Sequence, residues 1–220
     1  MSARRALVAP LLAFVTLISA CSSSSGSGGS LPDGREVLTK SAETMSAVKS
    51  THFVIKVDGS LPQLGVQGAD GDLNAAGDAK GKAKTNQFGQ LIEVDFVLSK
   101  GDLYVKGPTG GFQKLPGVLK SQVYDPTAIL DPKRGVAEVL RSAKDVKTES
   151  VDDKTNVVSG TVPKDVAASL VPGITSDVKA RFTMDKASLR LQVARFELDG
   201  GAVEITLSEL DKLVEVAPPA

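Results

Sequence analysis

The spacing of apolar residues predicts an amphipathic helix near residue 33. Apolar positions recur every three or four residues along this stretch, which places them on one helix face. The stripe consists of Val37, Leu38, Ala42, Met45 and Val48. The Asp33 carboxylate can accept hydrogen bonds from the free amides of the first turn, and Glu36 stands where its side chain can reach back. We therefore expect a helix that begins at Asp33 with a capping box.

The period of the apolar residues changes from 3.6 to two after Ser50. Phe53, Ile55 and Val57 then alternate with Val54 and two charged residues, which indicates a strand with one face in water. Further alternating segments, separated by turns, predict more antiparallel strands. These segments are 69–75, 78–85, 91–99, 102–106, 157–162, 178–185, 189–198 and 203–208.

The middle of the chain has a helical pattern. Asp125 and Asp131 each precede a proline, so each places a capping carboxylate before a residue suited to the first helical turn. An apolar stripe follows at Val136, Val139, Leu140 and Ala143. A short helix is expected to begin at Pro163. Strands, then helices, then strands predict an α+β domain, in which an antiparallel sheet carries helices on one face only.

The first 20 residues have the pattern of a lipoprotein signal peptide. A positive pair, Arg4 and Arg5, precedes the uncharged stretch 6–18, which is shorter than the roughly 20 apolar residues of a membrane span. The sequence Ile18-Ser19-Ala20-Cys21 is a lipobox, whose thiol accepts a diacylglyceryl group. We expect export, cleavage before Cys21 and anchoring to the outer face of the cell membrane through its acyl chains. The alternative is an ordinary signal peptide followed by a stray cysteine.

The remaining chain is expected to contain one domain. Residues 21–30 are almost entirely serine and glycine, a composition typical of a flexible tether. The domain is expected to span 31–216, and 217–220 form a tail. Cys21 is the sole cysteine, so the domain must be stable through its core without disulfides. We expect a monomer.

Composition argues against several classes of function. The net charge is zero and becomes −2 when Arg4 and Arg5 are removed. Since lysines are interspersed with acids along the chain, we expect no nucleic-acid binding. The sole histidine, His52, is out of phase with Phe53 and should face water, so we expect no histidine-based catalysis. The sequence shows no metal-ligand spacing or cofactor fingerprint, and we expect no enzyme activity, metal or cofactor.

The segment 78–84 has two unlike faces. Lysines occupy one face, whereas the other carries only Ala79, Gly81 and Ala83. Either a helix packs tightly on these small residues, or a gap lies beneath the helices. The chain has seven Phe, two Tyr and no Trp, too few large side chains to fill a wide gap, which favours a dry cavity suited to acyl chains. The residues expected to line it are Phe53, Ile55, Val57, Ala79, Gly81, Ala83, Val94, Phe96, Leu98, Val136, Val139, Leu140, Val178, Ala180 and Phe182.

Four segments together resemble a known lipoprotein family. They read VKSTH at 48–52, GDL at 71–73, YDPTAILDPKRGV at 124–136 and VEITLS at 203–208. The chain is similar here to the mycobacterial and actinobacterial family that includes LprG, LprA, LprF and LppX, and the resemblance covers nearly all of the mature chain. Glu209 departs from the tryptophan expected after the last segment.

The resemblance implies both a fold and a function. The fold is a curved half-barrel sheet with helices across its concave face, enclosing an apolar cavity, similar to the carriers LolA and LolB. The implied ligands are acylated envelope lipids or glycolipids, such as lipoglycans, phosphatidylinositol mannosides or triacylglycerol, which are moved toward the outer envelope. A major-facilitator-type exporter is an implied partner.

Two hypotheses of different classes therefore remain. The first is a non-enzymatic lipid carrier, in which each buried methylene contributes about 0.8 kcal/mol to binding. The second is a structural or signalling lipoprotein with a packed core and no lipid ligand, which acts through surface contacts.

The lipobox leads to a direct prediction about Cys21. The Cys21→Ala variant should fold but incorporate no radioactive palmitate, because it lacks the only thiol in the chain. The variant should also no longer be recovered in the detergent phase, where the labelled wild-type protein is found. Continued incorporation of label by the variant would contradict the lipobox interpretation.

Overall fold

The described part of the computed structural model covers residues 31–87, 90–116 and 125–219 and contains eleven strands. In chain order they are β1 (Ser50–Gly59), β2 (Val66–Asn74), β3 (Ala79–Gln87), β4 (Gln90–Ser99), β5 (Asp102–Lys106), β6 (Gln113–Lys114), β7 (Lys144–Val151), β8 (Thr155–Val162), β9 (Val178–Asp185), β10 (Leu191–Leu198) and β11 (Gly201–Ser208). They pair in the order β6-β5-β4-β3-β2-β1-β11-β10-β9-β8-β7. Every pairing between neighbours is antiparallel, and the sheet is open, with β6 and β7 at its edges.

Short helices pack on one face of this sheet. They are α1 (Gly34–Ser46), α2 (Val136–Ser142), α3 (Lys164–Leu170) and a 3-10 helix (Pro126–Leu130). Helix α1 contacts α2, β7 and β8, while the 3-10 helix contacts β2, α2 and α3. Their buried side chains join those of the sheet in one core cluster. We call the helix-bearing face the inner face and the opposite face the outer face; this arrangement confirms the α+β prediction. Within the described residues, no helix combines the length and apolar character needed to cross a membrane.

The start of α1 agrees with the sequence pattern except for one side chain. The Asp33 carboxylate accepts a hydrogen bond from the backbone amide of Glu36 at 2.9 Å, as a helix cap should. Glu36 does not complete the expected capping box. Its carboxylate accepts instead from Lys40, one turn further along, at 2.6 Å. An opposite charge at this spacing competes for the carboxylate.

Asp131 does not begin a helix, so that prediction is wrong. Its carboxylate accepts hydrogen bonds from the amides of Lys133 and Arg134, which form a turn, and α2 starts only after Gly135. A Cβ atom at position 135 would lie 2.4 Å from the backbone oxygen of Ile129, so this turn requires glycine. Burial alone would raise the pKa of Asp131, but the hydrogen bonds from the turn amides and from the Arg134 side chain lower it.

The edge strand β7 was not predicted, because its sequence does not alternate clearly. Half of its eight residues are charged, and Thr148 is the one buried residue of the strand. Charged edge strands are common because they discourage pairing with another molecule. The alternation rule therefore finds the central strands and misses this one.

Strands β2 and β3 approach each other closely at a pair of glycines. Gly71 and Gly81 are direct partners in the ladder. A Cβ atom at Gly81 would lie 2.2 Å from the backbone oxygen of Asp70, and one at Gly71 would lie 2.3 Å from that of Lys80. The absence of a side chain at Gly81 thus has a cause that the sequence did not reveal. The neighbouring backbone, rather than a helix or a cavity, requires glycine here.

This close approach predicts that Gly81→Ala destabilises the domain. The new methyl group must push the two strands apart, which should lower the free energy of unfolding by about 1–3 kcal/mol. Urea denaturation followed by circular dichroism measures the change. The matched control is Gly65→Ala, because a Cβ atom there meets nothing within 4 Å, and its effect should stay within about 0.5 kcal/mol. Equal midpoints for Gly81→Ala and wild type would contradict the steric argument.

Candidate functional site

The strand pairings place inner-face residues of β1 to β5 in four transverse rows. The first row is Thr51, Leu73, Ala79, Leu98 and Leu103. The second is Phe53, Gly71, Gly81, Phe96 and Val105. The third is Ile55, Ala69, Ala83 and Val94. The fourth, nearest the end of β3, is Val66, Thr85 and Ile92.

Exposure on this half of the inner face increases from the first row to the fourth. Every side chain of the first row is buried. In the second and third rows the β1 residues Phe53 and Ile55 remain buried, whereas Ala83 and Val94 are partly exposed. All three residues of the fourth row are partly exposed. The apolar face is therefore progressively less covered along these strands.

The other half of the inner face is packed on its central strands. Phe182 on β9 and Phe196 on β10 are completely buried, as is Leu140 on α2. Helix α1 packs against β7 and β8 in this half, and the buried apolar side chains of α1, α2 and α3 belong to the same core cluster. The contrast between the two halves locates the candidate site on β2 to β5.

The residues predicted to line a cavity are divided between the two halves. Those on β9 and α2 belong to the packed core: Val178, Ala180, Phe182, Val136, Val139 and Leu140. Those in the buried part of the first three rows are Phe53, Ile55, Ala79, Phe96 and Leu98. The partly exposed ones are Val57, Gly81, Ala83 and Val94. All the strand residues share the inner face, and their role as cavity lining stays a prediction.

The partly exposed inner-face side chains of β2 to β5 define a surface that we call the inner patch. It consists of Val66, Ala83, Thr85, Ile92, Val94 and Val105. Five of the six are apolar and none ionises, so the patch can bind hydrocarbon but offers no charge to an ionic ligand. The predicted lining does not include Val66, Thr85, Ile92 and Val105. Thr85 could have been found, because it continues the phase of Ala79, Gly81 and Ala83.

The outer face has the opposite character. Lys80, Lys82 and Lys84 of β3 lie between strands β2 and β4, which carry acidic residues on the same face. Lys82 donates to Glu93 at 3.1 Å, and this hydrogen bond raises the pKa of Lys82. Such an alternation of charge keeps this face in water.

His52 also lies on the outer face, out of phase with the buried Phe53. Its Nδ1 atom is 3.0 Å from the Asp72 carboxylate. The prediction that His52 faces away from the core is confirmed. In the described residues, no group of three or more histidine, cysteine, aspartate or glutamate side chains could hold a metal ion.

A groove of about 300 Å³ lies where β9 begins and β10 ends. Its lining includes Asp177 and Glu197. Both carboxylates already have partners within the protein, since Asp177 accepts from the Lys164 amide at 2.8 Å and Glu197 from Arg195 at 2.9 Å. The groove is therefore a weaker candidate for a binding site than the inner patch.

The model of the LppX_LprAFG lipoprotein family matches residues 33–216. This chain belongs to that family. The resemblance read from the four sequence segments is thereby confirmed.

Similar proteins extend over almost the whole chain. One from Mycobacteroides abscessus, named lipoarabinomannan carrier protein LprG, is 34% identical over 99% of this chain and 97% of its own length. A protein of the same name from Mycolicibacterium hassiacum is 35% identical over 98% of this chain and 97% of its own length.

Solved structures share the fold. LprF from Mycobacterium bovis matches with a TM-score of 0.77 and 23% identity, covering 86% of this chain and 98% of LprF. LppX from Mycobacterium tuberculosis matches with a TM-score of 0.63 and 21% identity, covering 83% of this chain and 97% of LppX. At these identities the likeness shows the fold alone.

Cys21 and the tether 21–30 lie outside the described residues, so the lipobox interpretation stays a prediction.

Proposed function

We propose that this protein is an exported lipoprotein, anchored by acylated Cys21, that binds acylated lipids or glycolipids and carries them toward the outer envelope. The observation that carries the proposal is the contrast within the inner face, which is buried across β8 to β11 and partly exposed across β2 to β5. A soluble domain normally buries the apolar face of its sheet, and an apolar surface left partly exposed marks a binding site. The inner patch has this character and is continuous with the core through Val66, Ala83 and Val105.

Acyl chains are the ligands that suit this surface best. Each methylene removed from water contributes about 0.8 kcal/mol, so a few chain carbons against the patch give useful affinity without any ionic contact. Exposure is greatest in the fourth row, near Thr85. A bound chain would therefore lie along the strands, with its polar headgroup toward the end of β3 and the start of β2.

The names of related proteins support a glycolipid ligand. The relatives from Mycobacteroides abscessus and Mycolicibacterium hassiacum are named as carriers of lipoarabinomannan. For this chain we propose ligands of the lipoglycan, phosphatidylinositol mannoside or triacylglycerol type. An exporter of the major facilitator type is the partner proposed to work with it. The protein acts as a carrier and has no catalytic part in this scheme.

The second candidate function is a structural or signalling lipoprotein without a lipid ligand. It is favoured by the half of the sheet from β8 to β11, where residues such as Phe182 and Ile205 are completely buried. In that case the inner patch would bind nothing, and substitutions within it would affect stability alone.

The variant Ala83→Trp separates these two functions. If the patch binds acyl chains, the indole takes the place of several chain carbons. The affinity for a fluorescent diacylglycerol should then fall by at least about tenfold, which corresponds to 1.4 kcal/mol or about two methylenes. The protein should still fold, because Ala83 is partly exposed. Fluorescence titration and circular dichroism measure the two effects.

Lys84→Trp is the matched control for this experiment. Lys84 is the next residue on β3, so its side chain is exposed on the outer face. It should change neither folding nor affinity. Full affinity in a folded Ala83→Trp protein would refute binding at the inner patch, and an absence of binding by wild type would refute the carrier function itself.

A further inference from the structure

Thr85 is the polar member of the otherwise apolar inner patch. It lies on the inner face of β3, opposite Val66 on β2 and Ile92 on β4. Together these residues form the fourth row, where exposure of the inner face is greatest. A side chain that carries a hydroxyl group therefore lies where the apolar inner face is least covered.

The Thr85 hydroxyl is buried and unpaired. Among the described residues its Oγ1 atom has no hydrogen-bond partner. Other threonines of this face are satisfied within the protein: the Thr51 hydroxyl donates to the backbone oxygen of Ser208 at 2.9 Å, and that of Thr148 to the oxygen of Pro32 at 2.7 Å. Buried hydroxyls normally have such partners, because an unpaired one loses its hydration without compensation.

Two other hydroxyls share this lack of a partner but differ in access. Those of Ser41 on α1 and Ser99 at the end of β4 are also unpaired within the described part of the chain. Their residues are 0% and 2% exposed, so a ligand cannot reach them. Thr85 is partly exposed, and rotation about χ1 exchanges its hydroxyl with its methyl group. Of the three, Thr85 is the one that a bound molecule can pair with.

We propose that the Thr85 hydroxyl donates a hydrogen bond to the ester carbonyl oxygen of a bound acyl chain, and thereby selects ester-linked lipids over ether-linked ones. This inference rests on the proposed function. The ester group links the acyl chain to the polar headgroup, and its carbonyl oxygen accepts hydrogen bonds. Thr85 lies at the corresponding boundary of the protein, between the apolar inner face and water. The surrounding patch carries no charge, which makes it a poor environment for a phosphate or carboxylate.

Matched lipids test this selectivity in the full-length protein. Dipalmitoylglycerol, with ester links, and dihexadecylglycerol, with ether links, are compared as competitors of a fluorescent acyl probe. Wild type should prefer the ester by roughly three- to tenfold, the range expected for one net hydrogen bond. Thr85→Val, which keeps the shape of the side chain, should bind both lipids equally and should retain its affinity for the ether.

Two further variants guard against a purely structural effect. Thr85→Ser keeps the hydroxyl and should keep the preference for the ester. Thr206→Val removes a hydroxyl from the outer face, where Thr206 pairs with Val54, and should leave the preference unchanged. The melting temperature of Thr85→Val without lipid should not fall, because an unpaired hydroxyl has been removed.

The outcomes distinguish this inference from the function on which it rests. Equal binding of both lipids by wild type, or an ester preference that survives in Thr85→Val, overturns the role of Thr85 and leaves the carrier function intact. Failure of wild type to bind either lipid overturns both. Loss of the ester preference in Thr85→Val alone, with the ether affinity preserved, supports the inference.

Discussion

Burial of the inner face of the sheet against short helices holds this domain together. Fully buried side chains such as Phe182, Phe196 and Leu140 each contribute about 1.5–3 kcal/mol. The sole cysteine lies at position 21, so no disulfide can replace this contribution. Between β8 and β11 the core is complete, and stability can rest there. Across β2 to β5 the same kind of apolar surface becomes partly exposed, which leaves it available for a ligand.

The two faces of β3 show how one strand can contribute both to the stability of the domain and to a surface for a ligand. Its outer lysines lie beside acids on the neighbouring strands, which suits water, and its inner side chains stay small. At Gly81 the small size serves the backbone, because β2 passes too close for a side chain. At Ala83 it leaves an apolar, partly exposed surface, and Thr85 adds a hydroxyl where that surface ends. The small side chains at neighbouring positions of this face thus have different physical causes.

Local patterns in the sequence were sufficient to predict much of the fold. Alternation located the central strands because each has one buried and one wet face, and the Asp33 cap marked the start of α1. The charged strand β7 escaped detection because its burial does not follow a simple alternation. At Asp131 the local pattern fits a helix cap and a turn equally well, because both use the same carboxylate. The glycine pair depends on the backbone of a partner strand, and the unpaired Thr85 hydroxyl on the surrounding contacts, so neither can be read from local sequence.

We predict that the protein carries a lipid that is distinct from its own covalent anchor. The most direct measurement is mass spectrometry of an organic extract of the full-length lipoprotein, purified from its membrane without denaturation. Covalently attached acyl chains remain with the polypeptide, whereas a bound ligand is extracted. We expect about one ester-linked, multiply acylated lipid per chain. An extract without stoichiometric lipid, from a protein that also binds none when lipid is added, would contradict this prediction.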